Sequence, residues 1–146
     1  MSSTLDGGSR MSGQNQWKVR DNNRLLLFLM NELAGAAHIS FEGSLPPAIL
    51  GFPGASAMES EVLKRGTLWP VQDFSILPLE SDVVPNILRA IGGTIPHSIL
   101  HIQVEKDGKL AFAAYDNLHP ECIYFGEAIS ANLIERLIAN KTLARA

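Results

Sequence analysis

The stretch ILHIQVEKDGKLAFAAY, Ile99 to Tyr115, places two runs of strand-forming residues on either side of Lys106-Asp107-Gly108, and the way they pair decides what sheet the chain builds. A two-residue Asp107-Gly108 turn would set Gln103 against Phe112 and Glu105 against Leu110. A three-residue loop, Lys106 to Gly108, sets Val104 against Leu110, Ile102 against Phe112 and Glu105 against Lys109. The second register matches apolar with apolar and charge with countercharge, so it is the expected one, with Gly108 in the left-handed conformation of a bulge. Leu100, Ile102, Val104, Leu110 and Phe112 then form the core face of the hairpin. His101 and Gln103 share the other face with Ala113 and Ala111.

Working outward, Ala37-His38-Ile39-Ser40-Phe41-Glu42 alternates apolar with polar, as a half-buried strand does. A further strand is expected over VQDFSIL, Val71 to Leu77, between Pro70 and Pro78, and a short one over Cys122 to Phe125. Helices are predicted near 22–34, 56–65, 82–91 and 127–141. The first follows possible caps at Asp21 to Asn23 and stops at Gly35, and the second opens on the capping-box pattern Ser56-Ala57-Met58-Glu59. The third has Val84, Ile87, Leu88 and Ile91 at helical spacing. The last carries an apolar stripe of Ile129, Leu133, Ile134, Leu137 and Ile138. Between the first strand and the second helix, Gly43 to Ala55 contains three prolines and three glycines and reads as an apolar loop. Short turns late in the chain and helical connections early give an α+β fold with a mainly antiparallel sheet.

With 146 residues, 46% hydrophobic and 18% charged, the chain suits one globular domain over 17–146. Residues 1–16, rich in Ser and Gly and without periodicity, are expected to form a flexible arm. A net charge of −3, with basic residues scattered, offers no stripe for a phosphate backbone, so nucleic acid is not an expected partner. Leu25 to Met30 is far shorter than the ~20 residues of a membrane span, so no membrane partner is expected. The single cysteine and an N-terminus without an apolar signal core point to the cytoplasm.

Chemistry concentrates in DNLHPEC, Asp116 to Cys122. Asp116, His119, Glu121 and Cys122 could be a metal-dependent or hydrolytic site, and Cys122 with His119 has the composition of a nucleophile and its base. A turn accounts for the same residues: Asp and Asn bond their own backbone, Pro120 fixes the exit, and Cys122 enters an apolar run that would bury it. His97 and His101 have metal-ligand spacing only on a helix. On a strand four residues span roughly 13 Å, too far for one ion.

Two other surfaces suit recognition. The His101 and Gln103 face could serve as a ligand platform. In the loop, Leu45, Ile49, Leu50 and Phe52 must either fold onto the core or meet a partner. The first helix is apolar on nearly all sides, which adds to the case for association. The expected function is therefore an interaction or regulatory module without catalysis, cofactor or metal, binding a protein partner or forming a homodimer. An enzyme centred on DNLHPEC is the alternative, and a small-ligand sensor using His101 and Gln103 the weaker one.

Overall fold

A computed structural model describes residues 17–145; the expected N-terminal arm, 1–16, lies outside them. The strands are β1 (Trp17–Val19), β2 (Ala37–Gly43), β3 (Asp73–Leu79), β4 (Ile99–Lys106), β5 (Lys109–Ala114), β6 (Ile123–Phe125) and β7 (Leu143–Arg145). The helices are α1 (Asn22–Leu33), α2 (Pro47–Leu50), α3 (Val84–Ala90) and α4 (Ala131–Ala139). Five strands form one antiparallel sheet in the order β3-β2-β4-β5-β6, and β1 pairs antiparallel with β7. The fold is the expected single-domain α+β arrangement. No helix among the described residues is long and apolar enough to cross a membrane.

One face of the main sheet carries Ile39, Phe41, Leu77, Leu79, Ile102, Val104 and Phe112, buried with Leu25, Leu29 and Met30 of α1, Ile87 of α3 and Leu137 of α4. This is the principal core. Asp21 caps α1 by accepting the Arg24 N–H at 3.0 Å, and Ser130 caps α4 by accepting that of Leu133 at 3.1 Å. Because the Ser130 cap fixes its start, α4 begins later than expected. At the other end of α1, the Lys106 ammonium reaches across from β4 to the carbonyls of Leu33 and Gly35, at 2.9 and 2.8 Å. It supplies a donor to carbonyls at and just past the helix end and ties the helix to the central strand.

The hairpin forms, but its register differs from the expected one. Lys106 pairs with Lys109 and Glu105 with Leu110, so the turn is the two-residue Asp107-Gly108, with φ of 54° and 78°. Two successive positive φ values define the mirror-image turn whose twist suits a hairpin. The apolar matching is recovered one step later, where the register shifts and Val104 meets Phe112 and Ile102 meets Ala114. Ala111 is the extra residue of that bulge, and its carbonyl accepts the Gly126 N–H at 2.8 Å. Apolar pairing was the right criterion, but it is met by a bulge inside the strand rather than by a longer loop.

The helix expected over 56–65 is absent, and the segment is irregular. Ser56 does not cap a helix but forms a bridge with Ile76 on the outer edge of β3. Its hydroxyl accepts the Met58 N–H, while the hydroxyl of Ser60 accepts those of Val62 and Leu63. The Glu59 carboxylate takes the Arg65 N–H at 2.7 Å. Such local side-chain bonds compete directly with helix formation. In the other direction, the Pro-rich stretch read as loop contains the short helix α2.

Gly108→Ala should destabilise the domain by about 1 kcal/mol, and Gly108→Asn by less, since asparagine tolerates positive φ better than alanine. Urea melts of the two variants check the turn; equal stability of Gly108→Ala and wild type would contradict it.

Candidate functional site

The second face of the sheet is polar at its centre. Strand alternation puts Ser40 and Glu42 of β2 on the same side as His101 and Gln103 of β4, and the register sets Ser40 against Gln103 and Glu42 against His101. All four are buried, Glu42 at 2% exposure and His101 at 5%. What covers them is the segment from Ser56 to Gln72. Leu63, with Val62 beside it, packs there on Phe74, Ile76 and Leu110 to make a second, smaller apolar cluster.

A carboxylate this deep requires donors, because an unpaired buried charge costs several kcal/mol. Backbone supplies them. Glu42 Oε1 accepts the Gly66 N–H at 2.6 Å and Oε2 that of Thr67 at 3.1 Å. His101 donates or accepts at both nitrogens: Nδ1 accepts the Asp116 N–H at 3.1 Å, which leaves the proton on Nε2, 2.7 Å from the Thr67 hydroxyl. Gln103 Oε1 accepts from the Ser40 hydroxyl and the Lys64 N–H at 3.2 and 3.1 Å, while its amide donates to the Tyr115 hydroxyl at 2.8 Å. Three amides of the covering segment, those of Lys64, Gly66 and Thr67, are thus consumed by side chains of the sheet. A helix there would have used its amides internally. The contact is also close, since a Cβ at position 66 would lie 3.1 Å from the His101 ring and 3.2 Å from that of Tyr115.

Burial pushes the Tyr115 phenol above its ordinary range; the Gln103 bond works against the rise, and the Glu42 carboxylate and Cys122 add to it. The phenol therefore stays neutral and acts as a hydrogen-bonding group. At the solvent edge the same face ends in a His38–Glu105 contact of 2.9 Å.

Next to the buried layer the covering segment turns outward. Leu68 is 90% exposed, Trp69 83% and Val71 65%, with Met58 at 77% on the same segment. The turn is closed behind them: the Arg65 guanidinium donates to the Gln72 carbonyl and lies over the Phe74 ring, and the Gln72 side chain donates to the Pro70 carbonyl at 3.1 Å. Large apolar side chains stand in solvent on a segment anchored at both ends.

The residues expected to form other sites fall elsewhere. Leu45, Ile49 and Phe52 are buried in the principal core, which leaves Leu50 as the exposed member of that group. The first helix likewise buries Leu25, Leu26, Leu29, Met30 and Leu33, and of its large apolar side chains Leu27 is the exposed one. DNLHPEC is a left-handed turn, with φ of 52°, 58° and 60° at Asp116, Asn117 and Leu118. Asn117 holds it by donating from its side chain to the carbonyls of His97 and Ile99, each at 2.9 Å. His119 spends Nδ1 on the Glu121 N–H at 3.1 Å. Cys122 is half-buried rather than enclosed in the core, and its thiol faces the Asp116 carboxylate at 3.8 Å. Partial burial and that carboxylate push the thiol pKa up, with Glu121 adding to the effect. Among the described residues no group of three or more His, Cys, Asp or Glu side chains is arranged to hold a metal ion.

Glu42, Thr67 and Tyr115 were not anticipated as part of a site, and neither was the Leu68 to Val71 turn. The period-two pattern of Ala37 to Glu42 carried half of the signal, because it already placed Ser40 and Glu42 on one face. The chain matches no family model, no curated protein and no solved structure.

Cys122 should react slowly with iodoacetamide at neutral pH, slower than free cysteine, because the raised pKa leaves less thiolate. Asp116→Asn keeps a residue suited to positive φ and removes the charge, so it should raise the rate several-fold; a wild-type rate at or above that of free cysteine would contradict this electrostatic account.

Proposed function

We propose that this protein is a non-catalytic interaction module that binds a protein partner through the turn carrying Leu68, Trp69 and Val71. The observation behind this reading is the exposure of Leu68 and Trp69, 90% and 83%, on a segment whose Gly66 and Thr67 amides are held by the buried Glu42 carboxylate. Two residues of this size in solvent forgo a few kcal/mol of burial, a cost that a partner's pocket would recover. Tryptophan is among the side chains that most often dominate binding energy, and an anchored turn loses little freedom when it docks. Side chains exposed to this degree suit a concave apolar site on the partner. An anionic bilayer is a poorer match, given the net charge of −3 and the exposed Glu59 and Glu61 on the same segment.

The alternative of a hydrolase or metal-dependent enzyme at DNLHPEC has less support, because its imidazole caps its own turn and its thiol is held towards the protonated form. A ligand platform at His101 and Gln103 would first require the covering segment to leave.

Trp69→Ala should leave the melting temperature within a degree or two of wild type. Crosslinking in the native cell, followed by mass spectrometry, should recover with wild type a protein that the variant loses. Titration of that protein against both forms should show binding weakened by about 30-fold or more, the measure of a hot-spot residue. Sedimentation of wild type alone tells whether the partner is a second copy. Identical crosslinked species from wild type and Trp69→Ala would contradict the proposal.

A further inference from the structure

The helix α1 carries its charges where its own dipole disfavours them. Its first turn holds no acidic residue and its last turn no basic one; Arg24 stands in the first and Glu32 in the last. What meets the two helix ends is the Asp21 cap and the Lys106 ammonium. The Arg24 guanidinium and the Glu32 carboxylate form no ion pair or side-chain hydrogen bond with any described residue. Both are exposed, and they share the outer side of α1 with exposed Leu27 and Asn31 and half-buried Phe28. We propose that two copies of this chain pair through α1, antiparallel about a two-fold axis near Phe28, with Arg24 of each copy beside Glu32 of the other.

The pattern complements itself under one symmetry. Arg24 and Glu32 each lie four residues from Phe28, about 6 Å along the axis, so a two-fold axis at Phe28 exchanges one position for the other. A two-fold interface uses the same surface on both copies, which must therefore match itself. Laid parallel, two α1 helices would set Arg24 against Arg24 and Glu32 against Glu32. Laid antiparallel, they set opposite charges together at both ends. The reversal also brings each Arg24 to the C-terminal end of the other helix and each Glu32 to its N-terminal end, where such charges are favoured. Charges that work against their own helix thus stabilise the neighbouring one. Between them lies Leu27, 37% exposed, which the pairing would cover. The Arg136 guanidinium of α4 lies over the Phe28 ring, at 5.4 Å, so Leu27 is the apolar contact near the centre. The helices and the segment bearing Leu68 and Trp69 pack on opposite faces of the sheet, so this dimer leaves the exposed turn free.

Sedimentation equilibrium of the full chain at physiological ionic strength should give a dimer that weakens in high salt and whose mass climbs no further with concentration, since a two-fold pair is closed. Arg24→Glu and Glu32→Arg each bring like charges together at two symmetry-related places. Each should weaken the dimer by about 25-fold, roughly fivefold per place. Arg24→Glu completes a capping box with Asp21 and suits the dipole of α1, so the melting temperature of the dilute monomer should hold or rise. The double reversal Arg24→Glu with Glu32→Arg, and an equimolar mixture of the two single variants, should both recover the dimer to near wild-type affinity. Neither recovery would follow if the two residues acted only within their own helix. Trp69→Ala should dimerise as wild type does, which separates this contact from any association through the turn. A wild-type monomer at high micromolar concentration, a mass that climbs past the dimer, or single variants that pair as wild type does would each overturn the proposal. So would a mixture that stays monomeric, or a dimer lost in Trp69→Ala.

Discussion

A carboxylate buried to 2% exposure between the sheet and its cover is the constraint around which this half of the molecule is arranged. Glu42 is almost wholly withdrawn from solvent, and among the described residues the donors shown on its two oxygens are backbone amides rather than a cation. Its charge is met by two amide donors, Gly66 and Thr67, brought in from a segment more than twenty residues away in the chain. Charge-assisted bonds of this kind are stronger than neutral ones. They also fix position: each oxygen accepts one amide, so the segment can sit in one place and one direction. The rest follows from that placement. Gly66 lies against the rings of His101 and Tyr115, where a side chain would crowd them, and Thr67 reaches Nε2 of His101. The chain beyond Thr67 turns into solvent with its apolar side chains.

The two faces of the sheet therefore do different work. The helical side is packed by aliphatic residues and aromatic rings, and its stability comes from burial. The other side holds few apolar contacts and many specific bonds, which contribute less net free energy but define geometry. An exposed tryptophan is useful for recognition when its surroundings do not move, and a bonded polar layer is well suited to hold it. Removing any member leaves a buried polar group without its partner, so the layer is also where the molecule is most sensitive to a change of charge.

What could be read from the sequence followed from local signals. The Ala37 to Glu42 alternation, the two strand-like runs around Lys106-Asp107-Gly108, the Asp21 cap, the spacing of Val84, Ile87 and Ile91 and the stripe of Ile129, Leu133 and Leu137 all depend on residues a few positions apart, and they yielded the sheet, the hairpin though not its two-residue turn, and three of the helices. The misreadings came from distant partners. Ser56 to Glu59 has the pattern of a helix start, but Ile76, Gln103 and Glu42 compete for the backbone and side-chain groups of the segment that follows. Apolar matching across the hairpin was sound, yet a bulge at Ala111 satisfied it in a way that counting turn residues could not reveal. Strands β1 and β7 are three residues each and become strands by pairing with each other across the whole chain. The site was half legible: polar residues on alternate positions of two strands were visible, but which side they faced, and that a loop would close over them, depended on tertiary contacts.

The claim that the buried carboxylate holds the covering segment can be measured directly in Glu42→Gln. The substitution keeps size and one acceptor but puts an NH2 group where a second acceptor is needed, so one of the two amides must lose its bond. Hydrogen exchange of wild type and variant should show residues 56–72 losing about tenfold or more of their protection, the effect of a broken charge-assisted bond, while the β2–β4–β5 ladder remains as protected as before. Protection unchanged over 56–72, or lost evenly across the sheet and the segment together, would contradict the account.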